Sequence, residues 1–126
     1  MRRVILESPY GSSDPKVVEK NITYARACVR DCLERGEAPI ASHLLYTQAG
    51  ILDDNVSKER QWGIDAGLAW GSVAEATVVY TDFGISRGME YGIENASKAG
   101  RPIECRQLYK IERTHEDFGP RLKKEY

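Results

Sequence analysis

The chain has 126 residues, 41% of them hydrophobic and 29% charged, and its 18 basic and 19 acidic side chains give a net charge of −1. This length predicts one domain with a single core, and the composition excludes a disordered chain. The balanced charge argues against a nucleic-acid binder that neutralises phosphates, and no apolar run approaches the ~20 residues that a membrane span needs. Because no signal peptide precedes the first predicted strand, we expect a cytoplasmic protein with reduced cysteines.

The first predicted elements are a short strand and a long amphipathic helix. Residues 2–8 predict a buried strand that ends before Pro9. Asp14 followed by Pro15 predicts a helix start with its cap at Asp14, and Gly36 predicts the helix end. Apolar side chains repeat along this helix at alternating steps of four and three residues, at Val18, Ile22, Ala25, Val29 and Cys32. The spacing indicates one buried helix face.

The cysteines of this helix allow two interpretations. Cys28 and Cys32 lie four residues apart on one face, and Cys105 stands alone later in the chain. Such a spacing suits a metal or redox pair, but no second pair of cysteines or histidines follows at ligand spacing. We therefore favour two small core residues and predict no metal site.

The rest of the chain predicts further alternation of strands and helices. The predicted elements are a strand at 38–44, an irregular connection at 45–56, a helix at 58–73, a strand at 76–81, a helix at 88–99 and a strand at 103–108. Ser57 is the expected cap of the helix at 58–73, in which Gly63, Gly67 and Gly71 recur every four residues. Apolar residues lie almost all round this helix, which indicates that it is deeply buried or packed on a second subunit.

The order of elements predicts the fold. Strands alternate with helices throughout, which indicates an α/β, Rossmann-like three-layer sandwich with a four- or five-stranded, mainly parallel sheet. This domain covers residues 1–108, and residues 109–126 form a charged C-terminal tail that is either mobile or an arm onto a neighbour. The glycine-spaced helix and the tail together predict a homodimer or a higher homo-oligomer.

The carboxyl ends of the strands form the expected binding rim, because ligands of parallel sheets lie there, at the switch in strand order. The candidate ligand-binding residues on this rim are Ser8, Pro9, Tyr10, His43, Asp82, Gly84, Ser86, Arg87, Gly88 and Met89. The segment from Gly84 to Gly88 precedes a helix, so its amides and the helix terminus suit a phosphate or a carboxylate. The alternative is a tight turn in which the glycines only relieve steric crowding.

Three of these rim residues have two interpretations each. Asp82 can accept hydrogen bonds from ribose hydroxyls or cap the next helix. Tyr10 can stack on a nucleobase or pack on its own helix. His43 can act as a general acid or base, although a lone histidine at a strand end is more often a satisfied polar contact.

Glu90 and Glu94, in the first turns of the helix after the glycine loop, are the candidate catalytic residues. A carboxylate there can attack an anomeric carbon or stabilise an oxocarbenium-like centre. The alternative is an acidic charge that lies favourably near a helix amino terminus. If the apolar side chains of this helix face the sheet, both glutamates point sideways or outward, which favours this alternative for each residue taken singly.

Three motifs of the chain point together to a known family: Ser8-Pro9-Tyr10, the strand that ends at Asp82, and Ser86-Arg87-Gly88-Met89 opening a helix. They resemble the nucleoside 2-deoxyribosyltransferase-like family, over residues 2 to about 108. Within it, the string Gly-Ile-Ser-Arg-Gly-Met resembles a branch of small phage and bacterial proteins of unknown function. The resemblance implies a protein, usually dimeric or larger, that cleaves or transfers the N-glycosidic bond of deoxynucleosides or their monophosphates. It also implies that Ser86 and Gly88 bind the 5′-phosphate, and it implies no cofactor.

The resemblance further implies a catalytic glutamate four residues after that glycine, where this chain has Gly92. Glu90 and Glu94 flank this position by two residues and point in other helical directions. Either the chain shifts by part of a turn and remains an N-glycosidase or deoxyribosyltransferase, or the nucleophile is lost. In the second case the pocket holds a nucleotide without cutting it, as in a phage-type receptor that sequesters a cyclic or ADP-ribosyl signalling nucleotide. Either way, a small nucleotide or nucleoside is the expected partner.

Overall fold

A computed structural model describes residues 1–112 and 121–124 of the chain. Its elements in chain order are β1 (Arg2–Glu7), α1 (Pro15–Glu34), β2 (Glu37–Ile40), α2 (Ser42–Leu45), α3 (Ser57–Gly71), β3 (Ala76–Tyr80), α4 (Arg87–Lys98), β4 (Ile103–Arg106), β5 (Tyr109–Glu112) and β6 (Arg121–Lys124). The first four strands form an all-parallel sheet in the order β2-β1-β3-β4. The predicted α/β fold with a four-stranded parallel sheet is therefore confirmed.

Helix α1 covers one face of the sheet and forms the core with it. Asp14 caps the helix by accepting the amide of Lys16 at 2.9 Å, and Pro15 occupies the first turn, as predicted. The buried side chains of α1 pack on alternate residues of β1 and β3, and this cluster includes Tyr24, Cys28, Cys32, Val4, Leu6, Val78 and Tyr80. The interpretation of the two helical cysteines as core residues is confirmed, because both are fully buried.

The other face of the sheet carries α4. Glu7 of β1 meets the backbone of α4 at Gly92, and Arg101, just after α4, donates from Nε to Thr77 Oγ1 of β3 at 2.9 Å. The same guanidinium donates from NH1 to the carbonyl of Gly71, the last residue of α3, at 2.7 Å. Arg101 thus joins α3 and the end of α4 to the central strand β3.

The second strand is shorter than predicted. It ends at Ile40, and the carbonyl of Ala41 then accepts the amides of Leu44 and Leu45 at 3.0 and 2.9 Å, which turns the chain into the short helix α2. His43 therefore lies on a helix and not at a strand end, which corrects the prediction. The prediction of Ser57 as a helix cap is also wrong, because Val56 holds the cap position of α3 and no side chain caps it.

Helix α3 uses its glycines for packing within the chain. A methyl group placed on Gly67 would lie 2.7 Å from Ser42 Oγ, one placed on Gly63 would contact Leu52, and one placed on Gly71 would contact Arg101. The glycine stripe therefore faces the chain's own residues Ser42, Leu52 and Arg101. In the described part of the chain Gly71 is the one buried residue of α3, so the predicted deep burial of this helix does not occur within the chain.

The chain after β4 stays in contact with the domain up to Tyr109, the first residue of the predicted charged tail. Leu108 is fully buried, Tyr109 packs on the core, and β5 and β6 pair antiparallel. Leu108 and Tyr109 therefore attach the start of this segment to the core. The rest of the predicted tail, residues 113–120 and 125–126, lies outside the described residues.

A network of buried ions crosses the α1 face of the sheet. Arg106 of β4 donates from its two terminal nitrogens to the two carboxylate oxygens of Glu37 at 2.7 Å each, and one of them also donates to Tyr80 Oη at 3.3 Å. Both members of the ion pair are 7% exposed. Tyr80 in turn donates to Asp31 of α1 at 2.6 Å, so the network ties three strands to the helix. None of the helices in the described part of the chain has the length and hydrophobicity of a membrane span.

Candidate functional site

The carboxyl ends of β1 and β3 lie side by side at the switch in strand order. From this pair, β2 lies on the outer side of β1 and β4 on the outer side of β3, so the chain leaves the two central strands in opposite directions. Ser8-Pro9-Tyr10 follows β1, and the segment 81–86 follows β3 and leads into α4. The topology therefore brings the two main predicted rim segments side by side at one edge of the sheet, the usual ligand position in such sheets.

The first turn of α4 presents backbone donors at this edge. Ser86 holds the cap position: its Oγ accepts the amide of Met89 at 3.3 Å, and its own amide contacts Met89 Sδ at 3.4 Å. The amides of Arg87 and Gly88 donate to no acceptor among the described residues, and both residues are exposed. An anion at this helix end would find two available N–H groups and the positive end of the helix dipole.

The turn before α4 depends on one glycine. Gly84 has φ +81°, a left-handed conformation that other residues adopt only with strain, and its amide donates to the Thr81 carbonyl at 2.9 Å. A side chain on Gly88 would meet open space, so this second glycine leaves the approach to the helix end uncovered. Met89, predicted as a ligand-binding residue, is buried and forms part of the support below this turn.

Ser8 and His43 form a hydrogen-bonded pair at the end of β1. The distance from Ser8 Oγ to His43 Nε2 is 2.7 Å, and the serine is 4% exposed. Burial lowers the pKa of His43 from 6.5 to about 4, so the imidazole is neutral at pH 7. The neighbours Pro9 and Tyr10 are buried and partly buried, and the carbonyl of Tyr10 accepts a hydrogen bond from Asn21 of α1 at 2.9 Å.

Asp82 binds the protein itself. Its Oδ1 accepts the Tyr24 hydroxyl at 2.5 Å and the Leu108 amide at 2.9 Å, and its Oδ2 accepts the Tyr109 amide at 3.0 Å. A ribose would have to compete with these three donors. Of the two interpretations from the sequence, capping of the next helix is wrong because Ser86 performs it.

The two predicted catalytic glutamates lie on the exposed side of α4. Both side chains face solvent, and Glu94 forms an exposed ion pair with Lys98 at 3.0 Å. This orientation is the one expected if the apolar stripe of α4 faces the sheet, where Met89 and Ala96 are buried.

A different carboxyl group, that of Glu7, lies against the middle of α4. Glu7, the last residue of β1, lies between the sheet and α4, where a methyl group placed on Gly92 would be 2.5 Å from its Cδ and 2.8 Å from its Oε1. Burial raises the pKa of Glu7 from 4.5 to about 8, against the opposing effect of the Arg101 charge. The carboxyl group forms no hydrogen bond with the described residues and stays partly exposed.

Comparison with known proteins gives a family and a fold. A family model described as a domain of unknown function, DUF7768, matches residues 2–106. The chain belongs to this family. No curated protein matches it. Among solved structures it is similar to a 2-deoxyribosyltransferase from the psychrotolerant bacterium Bacillus psychrosaccharolyticus, with a TM-score of 0.58 and 16% identity over 83% of this chain and 72% of that one.

The likeness to the 2-deoxyribosyltransferase confirms the expected fold relationship. At 16% identity it shows the architecture and not the chemistry. In the described residues, no group of three or more histidine, cysteine or acidic side chains is arranged to hold a metal ion.

The sequence did not suggest two residues that the structure places next to the predicted rim, Glu7 and Tyr24. The sequence contains a feature at each of these two residues that could have suggested its position. Glu7 is a charged residue that ends the apolar run Val4-Ile5-Leu6, and α4, which packs on this face, has a glycine in its middle. Tyr24 is the aromatic residue on the apolar face of α1, but only the fold shows that its hydroxyl reaches Asp82.

Proposed function

We propose that this protein binds a nucleoside or nucleotide at the carboxyl ends of β1 and β3 and cleaves or transfers its N-glycosidic bond. The fold shared with a 2-deoxyribosyltransferase supports a nucleoside-related role. The observation that carries the proposal is the start of α4 at the switch point, where the amides of Arg87 and Gly88 have no acceptor among the described residues. Backbone donors at a helix terminus suit the phosphate of a nucleotide.

The other rim residues take roles that fit this geometry. Ser86 fixes the start of α4, and Gly84 makes the turn that leads to it. Tyr10 offers an aromatic face for the nucleobase, and the Ser8–His43 pair offers a neutral donor and acceptor for the sugar. Asp82 positions the end of β3 through its three hydrogen bonds. We also propose that the protein acts in the cytoplasm, where free thiols such as its own stay reduced.

The test combines binding with product analysis. Purified protein is screened by thermal shift against nucleosides and their 5′-monophosphates, and each ligand that raises the melting temperature is incubated and analysed for free base by chromatography. We expect a monophosphate to bind and to release its base. Recovery of the bound ligand intact would support the non-catalytic receptor instead, and no response from any nucleoside or nucleotide would contradict both.

A proline substitution isolates the amide donors in this test. Arg87→Pro removes one free N–H at the first helical position, where proline is well tolerated, and Arg87→Ala is its matched control because both lose the guanidinium. We expect the proline variant to bind a 5′-monophosphate about tenfold more weakly than the alanine variant, as loss of one charge-assisted hydrogen bond implies. Binding of the unphosphorylated nucleoside should be the same in both variants. Equal monophosphate affinities would contradict the amide site.

We also propose that the protein assembles as a homodimer through the outer face of α3. Trp62 and Trp70 on this helix are 52% and 46% exposed, and Val73 just after it is also exposed. Large apolar side chains grouped on one surface are typical of an interface. Trp62→Glu should convert the dimer into a monomer in sedimentation experiments, whereas Leu33→Glu, at an equally exposed position on α1, should not. A wild-type monomer at high protein concentration would contradict this assembly.

A further inference from the structure

We propose that Glu7 is the catalytic acid of this site, which donates its proton to the departing nucleobase, and that residue 92 is glycine to make room for it. The inference rests on the proposed function and names the residue that performs its chemistry. It assigns the catalytic carboxyl to strand β1, whereas the sequence pattern pointed to Glu90 and Glu94 on α4.

The Glu7 carboxyl group lies where a side chain on residue 92 would otherwise be. Glu7 ends β1 at the switch in strand order, and its side chain lies under the middle of α4. A Cβ atom on residue 92 would be 2.5 Å from Glu7 Cδ, closer than two such atoms can approach, so any other residue at position 92 would displace the carboxyl group. In a helix interior, glycine lowers the stability by about 1 kcal/mol relative to alanine. The space that the Glu7 carboxyl group needs explains why residue 92 is nevertheless glycine.

The surroundings of Glu7 suit an acid better than a structural ion. A buried structural carboxylate is normally paired or hydrogen-bonded, as Glu37 is in this chain. Glu7 forms no ion pair and no hydrogen bond with the described residues, and Arg101 is the charged group that acts on it from a distance. Its pKa of about 8 keeps it largely protonated at pH 7, which is the form an acid needs.

The reaction balances with water as the second substrate. As the bond between C1′ and the base nitrogen breaks, its electron pair stays on the nitrogen, which takes the proton of Glu7. The sugar becomes oxocarbenium-like at C1′. Water adds to C1′ and gives its proton to the carboxylate of Glu7, which restores the acid. In a transfer reaction, a second nucleobase takes the place of water and returns its own N–H proton.

Glu7→Gln is the direct test, because it keeps the shape of the side chain and removes the acid. We expect the rate of base release at saturating substrate to fall at least about 100-fold, while ligand binding by thermal shift stays the same. Wild-type turnover should decline above pH 8 as Glu7 ionises. The matched control is Glu34→Gln, an exposed carboxyl on α1, which should keep full turnover.

A second variant, on helix α4, tests the position of the Glu7 carboxyl group. Gly92→Ala favours the helix but pushes the Glu7 carboxyl out of its place, so base release should fall at least about tenfold in a folded protein. Ser97→Ala, exposed near the end of α4, is the control. Infrared spectra at pH 7 should show a protonated carboxyl band in the wild type that is absent from Glu7→Gln.

The outcomes separate this inference from the proposed function. If the wild type binds nucleotides and releases no base, the proposed catalytic function fails and the role of Glu7 fails with it. If the wild type releases base and Glu7→Gln does so within threefold of its rate, only the role of Glu7 is overturned. Loss of turnover in both Glu7→Gln and Gly92→Ala, with their controls active, supports the inference.

Discussion

An Arg106→Met variant is expected to lose about 3–5 kcal/mol of its free energy of unfolding, measured by urea denaturation at pH 7. Arg106 donates two hydrogen bonds of 2.7 Å to Glu37 and one of 3.3 Å to Tyr80, in a region where both members of the ion pair are 7% exposed. Without the guanidinium, Glu37 keeps one partner, Arg2, at 2.6 Å. An incompletely paired carboxylate would then remain buried, which is the costly outcome.

Two further variants check this explanation. Glu37→Leu combined with Arg106→Met should regain most of the lost stability, because no uncompensated charge is then buried. Arg30→Met, which breaks the exposed pair of Arg30 with Glu34, should cost less than about 1 kcal/mol. A similar loss in Arg30→Met and Arg106→Met would show that burial does not control the energy of these pairs.

The same ion pair predicts the behaviour of the protein in acid. Hydrogen bonds from Arg106 and Arg2 lower the pKa of Glu37 from 4.5 to about 2. Because the folded-state pKa is the lower one, this group stabilises the fold above pH 4.5, and the stabilisation is lost as the pH falls toward 2. The wild type should therefore lose more stability than Arg106→Met between pH 4.5 and 2.

Much of the fold follows from local sequence patterns. The cap at Asp14 and the β-branched run of β3 each depend on neighbouring residues, so spacing and propensity were sufficient to predict them. The predicted stripe along α1 was only partly right: Ala25 and Cys32 are buried, but Val18, Ile22 and Val29 are half-buried. The rest of the buried face consists of Asn21, Tyr24, Cys28 and Asp31. The short helix α2 was not predictable in this way, because the residues after Ile40 carry no helix signal and form one turn after the strand ends. The inward use of the α3 glycines depends on Ser42 and Leu52, which only the fold brings close.

At the site too, features set by neighbouring residues were predictable from the sequence and those set by distant contacts were not. The sequence predicted the turn before α4 and a helix start at residue 88, close to the observed cap at Ser86, since these are local features. It did not propose Glu7 as a site residue, because its position depends on the packing of β1 against α4, 85 residues away in sequence (92 − 7). Gly92 appeared as a missing carboxylate in the sequence, whereas in the structure a carboxyl group from another element fills the space beside it.

Asp82→Ala is expected to release the segment after β4 from the sheet. Asp82 accepts the amides of Leu108 and Tyr109 and the hydroxyl of Tyr24, so the variant leaves three donors without their acceptor. We expect the free energy of unfolding to fall by about 2–3 kcal/mol. Hydrogen exchange at the amides of Leu108 and Tyr109 should accelerate about tenfold or more, since 1.4 kcal/mol corresponds to a factor of ten.

The matched control for this variant is Asp53→Ala, which removes a carboxylate that accepts one backbone amide, from Asn55, in an exposed loop. It should change stability by less than about 1 kcal/mol. The ribose role predicted from the sequence gives the opposite result for Asp82→Ala: unchanged exchange at Leu108 and Tyr109, with binding lost only for ligands that carry a ribose hydroxyl. Fast exchange with nucleoside affinity retained would instead show that Asp82 stabilises the rim and does not bind the ligand. Its carboxylate would then act only through the three hydrogen bonds that it accepts within the chain.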